Sequence, residues 1–131
     1  MTRAKAPLIV AGGGVHYALA GAKLADFAAR HGLPVAETQA GKGALTWDHP
    51  CAVGAIGVTG GSAANALAAE ADAVLAIGTR LSDFTTASGT LFRNPERHLI
   101  QLNIAAYDAV KRFPWVLSWR LSFTLRPAKG A

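Results

Sequence analysis

Short, wholly apolar runs alternate along this chain with longer amphipathic or polar stretches. Leu8-Ile9-Val10-Ala11 has no polar member and stops at Gly12-Gly13-Gly14. A strand buried on both faces reads this way, as the strands of a parallel sheet do. In residues 16–32, HYALAGAKLADFAARHG, apolar side chains fall at 17, 20, 24, 27 and 28, the spacing of one face of a single α-helix. Gly32 is placed to stop that helix, and Leu33-Pro34-Val35-Ala36 starts a second strand. Strand, glycine turn, helix and strand make one right-handed crossover.

The next stretch, ETQAGKGALTWDHP from Glu37 to Pro50, has no such period. It has 14 residues, two glycines, a Trp47 whose size suits a buried place, and an Asp-His-Pro stop. Regular patterning then resumes. Ser62 is the expected N-cap of an alanine-rich helix containing ANALAAEA, and Asp72 breaks it ahead of the apolar strand AVLAIG. Residues 79–97 are polar and irregular, a loop with one helical turn. HLIQLNI alternates like a strand, with Leu99, Gln101 and Asn103 on one face, and AAYDAVKRF begins a helix. Trp115-Val116-Leu117 is a candidate edge strand. The order predicts an α/β domain: three α/β/α layers around a mainly parallel sheet, Rossmann-like.

At 131 residues the chain is long enough for one domain with one core. Its 51% hydrophobic content is that of a globular protein rather than a disordered one. Cys51 stands alone, so no disulfide can form within the chain, and a reducing compartment is expected. No apolar run approaches the ~18 residues of a spanning helix. The opening MTRAKAP lacks the apolar stretch of a secretory leader. A cytoplasmic protein without a membrane partner is the expectation. The net charge of +5 changes this little, because of where it lies. Residues 1–108 hold eight basic and eight acidic side chains; the excess is Lys111, Arg112, Arg120, Arg126 and Lys129. A nucleic-acid binder spreads cations over a groove-facing surface of its fold. Here they sit on a terminal tail, so no nucleic-acid partner is expected.

Glycine marks three predicted strand ends: Gly12, Gly13 and Gly14; Gly41 with Gly43; and Gly78. In open parallel sheets ligands bind at the carboxyl ends of the strands, and glycine there lets a phosphate or flat ring approach the backbone. Gly12, Gly13, Gly14 and Gly78 are therefore candidate cofactor-binding positions. The first turn carries two of the three dinucleotide-fingerprint glycines, but Tyr17 stands where the third would allow close helix packing. Glu37 stands where a ribose-binding acid would. A stand-alone FAD-, NAD- or ADP-binding module is one open reading; a tight structural turn is the other. There is no GxxxxGK[ST] and no GxSxG. Asp48, His49 and Cys51 come from one segment, whereas a zinc site draws its ligands from separated ones. A loop held by Asp capping and Pro50 is the simpler reading, and no metal site is expected. His16, His31 and His98 read as helix-end or surface residues. Arg80 and Asp83 come after the Gly78 strand end, either to meet a ligand phosphate or ribose or to pair with each other.

The long loop gains a meaning from the segment after it. ETQAGKGALTWDHP, then GAIGVTGGSAANALAAEADAVLAIGTRLSDFTTAS, resembles the central domain of thiamine-diphosphate-dependent enzymes. The parts that carry the resemblance are Gly41-Lys42-Gly43-Ala44, Asp48-His49-Pro50, the glycine-rich run Gly54 to Gly60, Ala64-Asn65, Ala71-Asp72, Gly78-Thr79-Arg80 and Asp83. The wording is most similar to the branch that hydrolyses a carbon–carbon bond of a trihydroxycyclohexanedione in inositol catabolism. Acetolactate synthases match the same frame with more differences. The resemblance covers about residues 5–108.

It implies a three-domain subunit, with a pyrimidine-binding domain before this one and a diphosphate-binding domain after it. Thiamine diphosphate and magnesium would lie between those two, across a dimer interface, so a homo-oligomer is implied. The family's GDG…N magnesium motif and its catalytic glutamate belong to the flanking domains, and this chain has no Gly-Asp pair. No catalytic residue is therefore assigned here. Relatives that hold FAD would place it by Thr59, Gly60, Gly61, Gly78, Arg80 and Asp83, although the hydrolase branch is not expected to need FAD. Gln39 and Lys42 are the implied substrate-proximal residues; sealing a domain interface is the loop's other reading. In the parent enzyme the cofactor would take up the electrons of the broken bond, and hydrolysis would open the ring to 5-deoxy-glucuronate. This piece alone is expected to be inactive.

Beyond NIAAYDAVK the match is lost. RFPWVLSWRLSFTLRPAKGA brings abrupt tryptophans, the charge excess and no acidic residue. Residues 1–110 are read as the central domain and 111–131 as an atypical basic tail, foreign or out of frame.

Overall fold

Parallel neighbours in a sheet need a connection that runs back the full length of a strand, and this chain makes that return in two different ways. The computed structural model describes residues 3–105, 107–108 and 116–119. In chain order the elements are β1 (Pro7–Ala11), α1 (Gly14–Tyr17), α2 (Gly21–His31), β2 (Val35–Glu37), β3 (Ala52–Ala55), α3 (Ser62–Glu70), β4 (Ala73–Ile77), α4 (Asp83–Thr86), β5 (His98–Leu102) and β6 (Val116–Trp119). They build one six-stranded sheet in the order β3-β2-β1-β4-β5-β6, and every pairing is parallel. This is the order of a doubly wound sheet whose direction reverses between β1 and β4. The predicted three-layer, Rossmann-like class is the observed one. Val116–Trp119 takes the edge beside β5, in register Leu99 with Val116 through Leu102 with Trp119. Residues 111–115 and 120–131, which carry the rest of the expected tail, lie outside the described residues.

The wholly apolar runs lie at the centre of the sheet, where both faces are covered. Leu8 and Val10 point into one cluster with Ala64 and Ala68 of α3, Val74, Ala76, Leu81 and Leu99. Ile9 and Ala11 point into the other with Val15, Leu24 and Ala28, Leu33 and Val35. Each fully buried Leu, Ile or Val contributes about 1.5–3 kcal/mol relative to exposure. Gln101, on the Leu99 side of β5, is fully buried, and its amide has no hydrogen-bond partner among the described residues.

The first return is helical, but not by one helix. Leu19 sits at φ 50, in the left-handed region, and separates the single turn α1 from α2. Tyr17 therefore falls outside the buried face on which the spacing had placed it, and Phe27 is partly exposed; Leu24 and Ala28 are buried as expected, joined by Val15. Within α2 the Asp26–Arg30 pair closes at 2.8 Å across one turn. Gly32, at φ 61, ends the helix as expected, and Leu33 N–H reaches back to Ala28 O at 3.0 Å.

The second return has no helix. Residues 38–51 carry the chain from the carboxyl end of β2 to the amino end of β3, lying on the α2 side with Ala44 and Leu45 buried in that cluster. β3 is a strand the sequence pattern missed. AVGA is four residues long with half of them exposed, and its pairing with β2 is irregular between Val35 and Ala36. Trp47 rides on the outside of this strap and is 94% exposed, not buried. Its neighbour Leu45 fills the interior place that the loop had to offer. Ser62 is not the N-cap of α3: Gly61 is, and no side chain caps the helix. The Asn65 amide ties the preceding turn instead, accepting from Gly57 N–H and donating to Gly57 O, both at 3.0 Å.

Asp72 fastens the amino terminus to the sheet. Its carboxylate accepts from Lys5 N–H at 2.7 Å and Ala6 N–H at 3.0 Å. Its own N–H donates to Ala6 O, and its carbonyl accepts from His98 N–H. The Lys5 amide holds this carboxyl below its ordinary value of 3.8. A lowered folded-state value means stability that is present above the ordinary value and lost as pH falls through the lowered one. Asp72→Asn should therefore melt below the natural protein at pH 7, and the gap should close as pH drops below 3.8. Thermal melts of both proteins over that range check it; a gap that stays constant or widens in acid refutes the role.

Candidate functional site

The carboxyl ends of β1 and β4 meet backbone to backbone. Gly12 N–H donates to Ile77 O at 2.8 Å and Gly14 N–H to Gly78 O at 3.0 Å. A Cβ on Gly12 would overlap the Gly78 carbonyl, and one on Gly14 would come within 2.6 Å of Gly78 Cα. Gly78 itself sits at φ 59. Much of the glycine signal is thus spent on packing two strand ends together, where a side chain would hold them apart.

Above this junction lies a cavity of about 310 Å3. Gly13, Gly14, Tyr17, Gln39, Gly78, Arg80, Ser82 and Thr85 are among its walls. Arg80 is held outward by its neighbours. Thr79 is buried, with its hydroxyl accepting from Leu81 N–H at 3.1 Å and its carbonyl accepting from the Asn103 amide at 3.1 Å. Leu81 is fully buried at φ 48. Gln39 is positioned by Thr38, whose N–H donates to Ala11 O at 2.9 Å and whose hydroxyl accepts from Gly41 N–H at 3.1 Å. The lining offers a guanidinium, an amide and several hydroxyls, and no carboxylate, imidazole or thiol. Such a wall can bind an oxygen-rich or anionic ligand; it has no group suited to move a proton near neutral pH.

The strap beside the cavity is organised by Glu37. One carboxylate oxygen accepts from Gly43 N–H at 3.1 Å and the other from Leu45 N–H at 3.0 Å. This carboxylate, placed by the sequence where a ribose-binding acid would stand, instead folds its own loop. His16 Nε2 is 3.0 Å from Lys42 O, which binds the strap to α1. His49 Nδ1 accepts from Cys51 N–H at 3.1 Å, and the Cys51 thiol points at Ala28 O. His49 and Cys51 thus serve the strap's end, and His31 lies against the Phe27 ring at 4.7 Å.

Of the positions singled out from the sequence, Gly13, Gly14, Gly78, Arg80 and Gln39 come together at the cavity. Gly12 is buried beneath it. Thr59, Gly60 and Gly61 sit on the turn before α3, outside the lining, as do the exposed side chains of Lys42 and Asp83. Sequence reasoning gave Tyr17 only a place on the helix face, against close helix packing, and passed over Ser82 and Thr85. The only signal for the last two was a run of hydroxyls after Arg80. Larger hollows of about 580 and 880 Å3, beside α3 and at the amino end of the sheet, hold none of the candidate cofactor-binding or substrate-proximal positions; the first is lined by Gly57 and Asn65 and the second by Asp72 and His98.

Residues 1–118 match the family described as thiamine pyrophosphate enzyme, central domain. This chain belongs to that family. A relative named 3D-(3,5/4)-trihydroxycyclohexane-1,2-dione hydrolase, from Clostridium perfringens, is 50% identical over 107 residues, which are 82% of this chain and 17% of the relative. A protein of the same name from Clostridium botulinum is 47% identical over the same shares. One from Bacillus cereus is 50% identical over 109 residues, 83% of this chain and 17% of its own length. The chain thus spans about a sixth of the length of these relatives. A diphosphate bound together with a divalent cation wants oxygen ligands such as carboxylates around that cation. The cavity walls of this central domain carry none, so they do not fit that group.

Two sets of substitutions check the site's construction. Gly78→Ala should destabilise by roughly 2 kcal/mol, through overlap with Gly14 and the left-handed backbone. Gly61→Ala, whose Cβ would meet nothing within 4 Å, should cost less than Gly78→Ala in the same urea titration, since it loses only a favourable N-cap residue. Glu37→Ala should cost about 2 kcal/mol and accelerate amide exchange at Gly43 and Leu45 before any other part of the sheet; unchanged exchange there would show that the strap is held by something else.

Proposed function

We propose that this chain is the central part of a longer thiamine-diphosphate- and magnesium-dependent enzyme that hydrolyses a carbon–carbon bond of 3D-(3,5/4)-trihydroxycyclohexane-1,2-dione, opening the ring to 5-deoxy-glucuronate. The observation that carries this is the 50% identity, over 82% of the chain, to relatives of that name. When bound, thiamine diphosphate supplies the electron sink for breaking the bond. The cofactor, its magnesium and the catalytic acid–base groups belong to parts of the polypeptide outside this chain, in a cytoplasmic homo-oligomer. The central domain contributes position: the packed β1–β4 junction fixes the height of the cavity floor, and Glu37 fixes the strap that presents Gln39. Gln39 is the substrate-proximal residue this geometry favours, with Arg80 as the cation among the cavity walls. Lys42, on the strap but outside the lining, is the weaker candidate.

Two measurements test the reading together. In isothermal titration the isolated chain should bind no thiamine diphosphate with magnesium, and it should turn over none of the dione. The Clostridium perfringens relative, with its matching segment replaced by residues 3–108 of this chain, should keep turnover within about tenfold of its own. A folded chimera without turnover overturns the proposal. Micromolar binding of FAD, NAD or ADP by the isolated chain would overturn it in favour of a stand-alone nucleotide-binding module.

A further inference from the structure

Among the described residues that line the 310 Å3 cavity, Arg80 carries the one charge. Its side chain is exposed, and it is in no ion pair among the described residues, where the pair found is Asp26–Arg30 on α2. The backbone that carries it is fixed on both sides. Gly78 N–H donates to Leu102 O at 2.8 Å, and the Asn103 amide donates to Thr79 O at 3.1 Å. Leu81 is fully buried at φ 48 although it is not glycine. A left-handed residue of that kind persists where its surroundings impose it. The other polar walls are uncharged. They include the Gln39 amide and the hydroxyls of Ser82 and Thr85, whose oxygens lie 3.4 Å apart. Ligand pockets run from about 300 to 1,000 Å3. This one is at the small end, with room for one six-carbon molecule rather than a dinucleotide.

We propose that the cavity is a binding site for a small hydroxylated carboxylate, the chemical class of the ring-opened product, with Arg80 as the partner of the carboxylate and Gln39, Ser82 and Thr85 as partners of the hydroxyls. The link to product rests on the proposed function and deepens it, because it separates product from substrate. The proposed substrate is a six-carbon ring with three hydroxyls and two adjacent carbonyls, and it has no charged group. Hydrolysis between the carbonyls breaks one carbon–carbon bond. The oxygen of water and one of its hydrogens go to one carbon, which is oxidised to a carboxyl group. The other hydrogen goes to the neighbouring carbon, which is reduced to an aldehyde, so no outside oxidant is needed. The carboxyl group then loses its proton to solvent near neutral pH. The reaction thus creates a negative charge where there was none. A guanidinium fork matches a carboxylate with two parallel hydrogen bonds, whereas a neutral ring engages the amide and hydroxyl walls alone. The cavity holds product in preference to substrate.

Titration calorimetry on the isolated chain tests this, with glucuronate as the probe. Glucose has the same hydroxylated ring without the carboxylate, and acetate has the carboxylate without the ring. Glucuronate should bind at least about tenfold more tightly than either. Arg80→Gln, with circular dichroism unchanged, should weaken glucuronate at least about tenfold and should not weaken glucose. Arg80→Lys keeps the charge without the fork and should fall between. Arg93→Gln, at an exposed arginine of the hollow beside α3, should bind glucuronate as the natural chain does. Glucuronate no tighter than glucose, acetate as tight as glucuronate, or an Arg80→Gln variant that binds as before overturns the proposal. Displacement of glucuronate by a lower concentration of ADP overturns it in favour of a nucleotide. The chimera separates this inference from the enzymatic reading. Turnover by the chimera with no glucuronate binding by the isolated chain overturns the product site alone. Arg80-dependent binding beside a folded chimera without turnover overturns the enzymatic reading and leaves the hydroxy-carboxylate site standing. In an active chimera, Arg80→Gln should raise the inhibition constant of added glucuronate at least about tenfold, and an unchanged constant overturns the proposal.

Discussion

Everything distinctive about this domain depends on how closely β1 and β4 approach at their carboxyl ends. These strands are neighbours across the point where the sheet reverses its winding, and the chain leaving each must turn away in opposite directions. Side chains at that point would wedge the two turns apart. Gly12, Gly14 and Gly78 remove the wedge, and the Gly14–Gly78 hydrogen bond closes the gap. The cavity, the outward aim of Arg80 and the place of Gln39 are all measured from that junction. A glycine cluster of this kind therefore carries two meanings at once: it makes room for a ligand above, and it makes contact below. Here the contact accounts for Gly12 wholly and for Gly14 and Gly78 in part.

The strap from Thr38 to Cys51 shows a second economy. Two adjacent parallel strands are usually joined by a helix, because a helix satisfies its own backbone while crossing the sheet. This connection does without one by borrowing acceptors. The Glu37 carboxylate takes two of its amides, the Thr38 hydroxyl takes a third, and the His49 ring a fourth. Such an irregular segment can be shaped to order, and it passes directly beside the cavity. A helix would present one fixed face there; the strap presents Gln39 at the rim and Trp47 to the outside.

The lining of the cavity limits what this chain's own residues can supply. The cavity wall has hydrogen-bond donors and a cation but nothing suited to anchor a metal–diphosphate. Two of its walls, Tyr17 and Phe84, are exposed apolar side chains. Such a wall can shape a site and bind an oxygen-rich ligand, but it has no group suited to move a proton near neutral pH.

The sequence by itself determined the fold class, the parallel character of the sheet and the family. Runs such as Leu8–Ala11 and Ala73–Ile77 have no polar residue, and only a strand covered on both faces can hold them. Gly32 as a helix stop, Asp72 as a break and one helical turn within 79–97, found at Asp83–Thr86, were legible for the same reason: each acts through its own local backbone. What only the tertiary structure decided was which side chains face which neighbours. The pattern read one helix where Leu19 divides two, missed β3 because four half-exposed residues have no period of their own, and put Trp47 inside. It offered Glu37 to a ligand, although two amides six and eight residues away had claimed it. Apolar period records how much a residue would gain from burial, whereas contacts between distant segments decide which of several candidates obtains it.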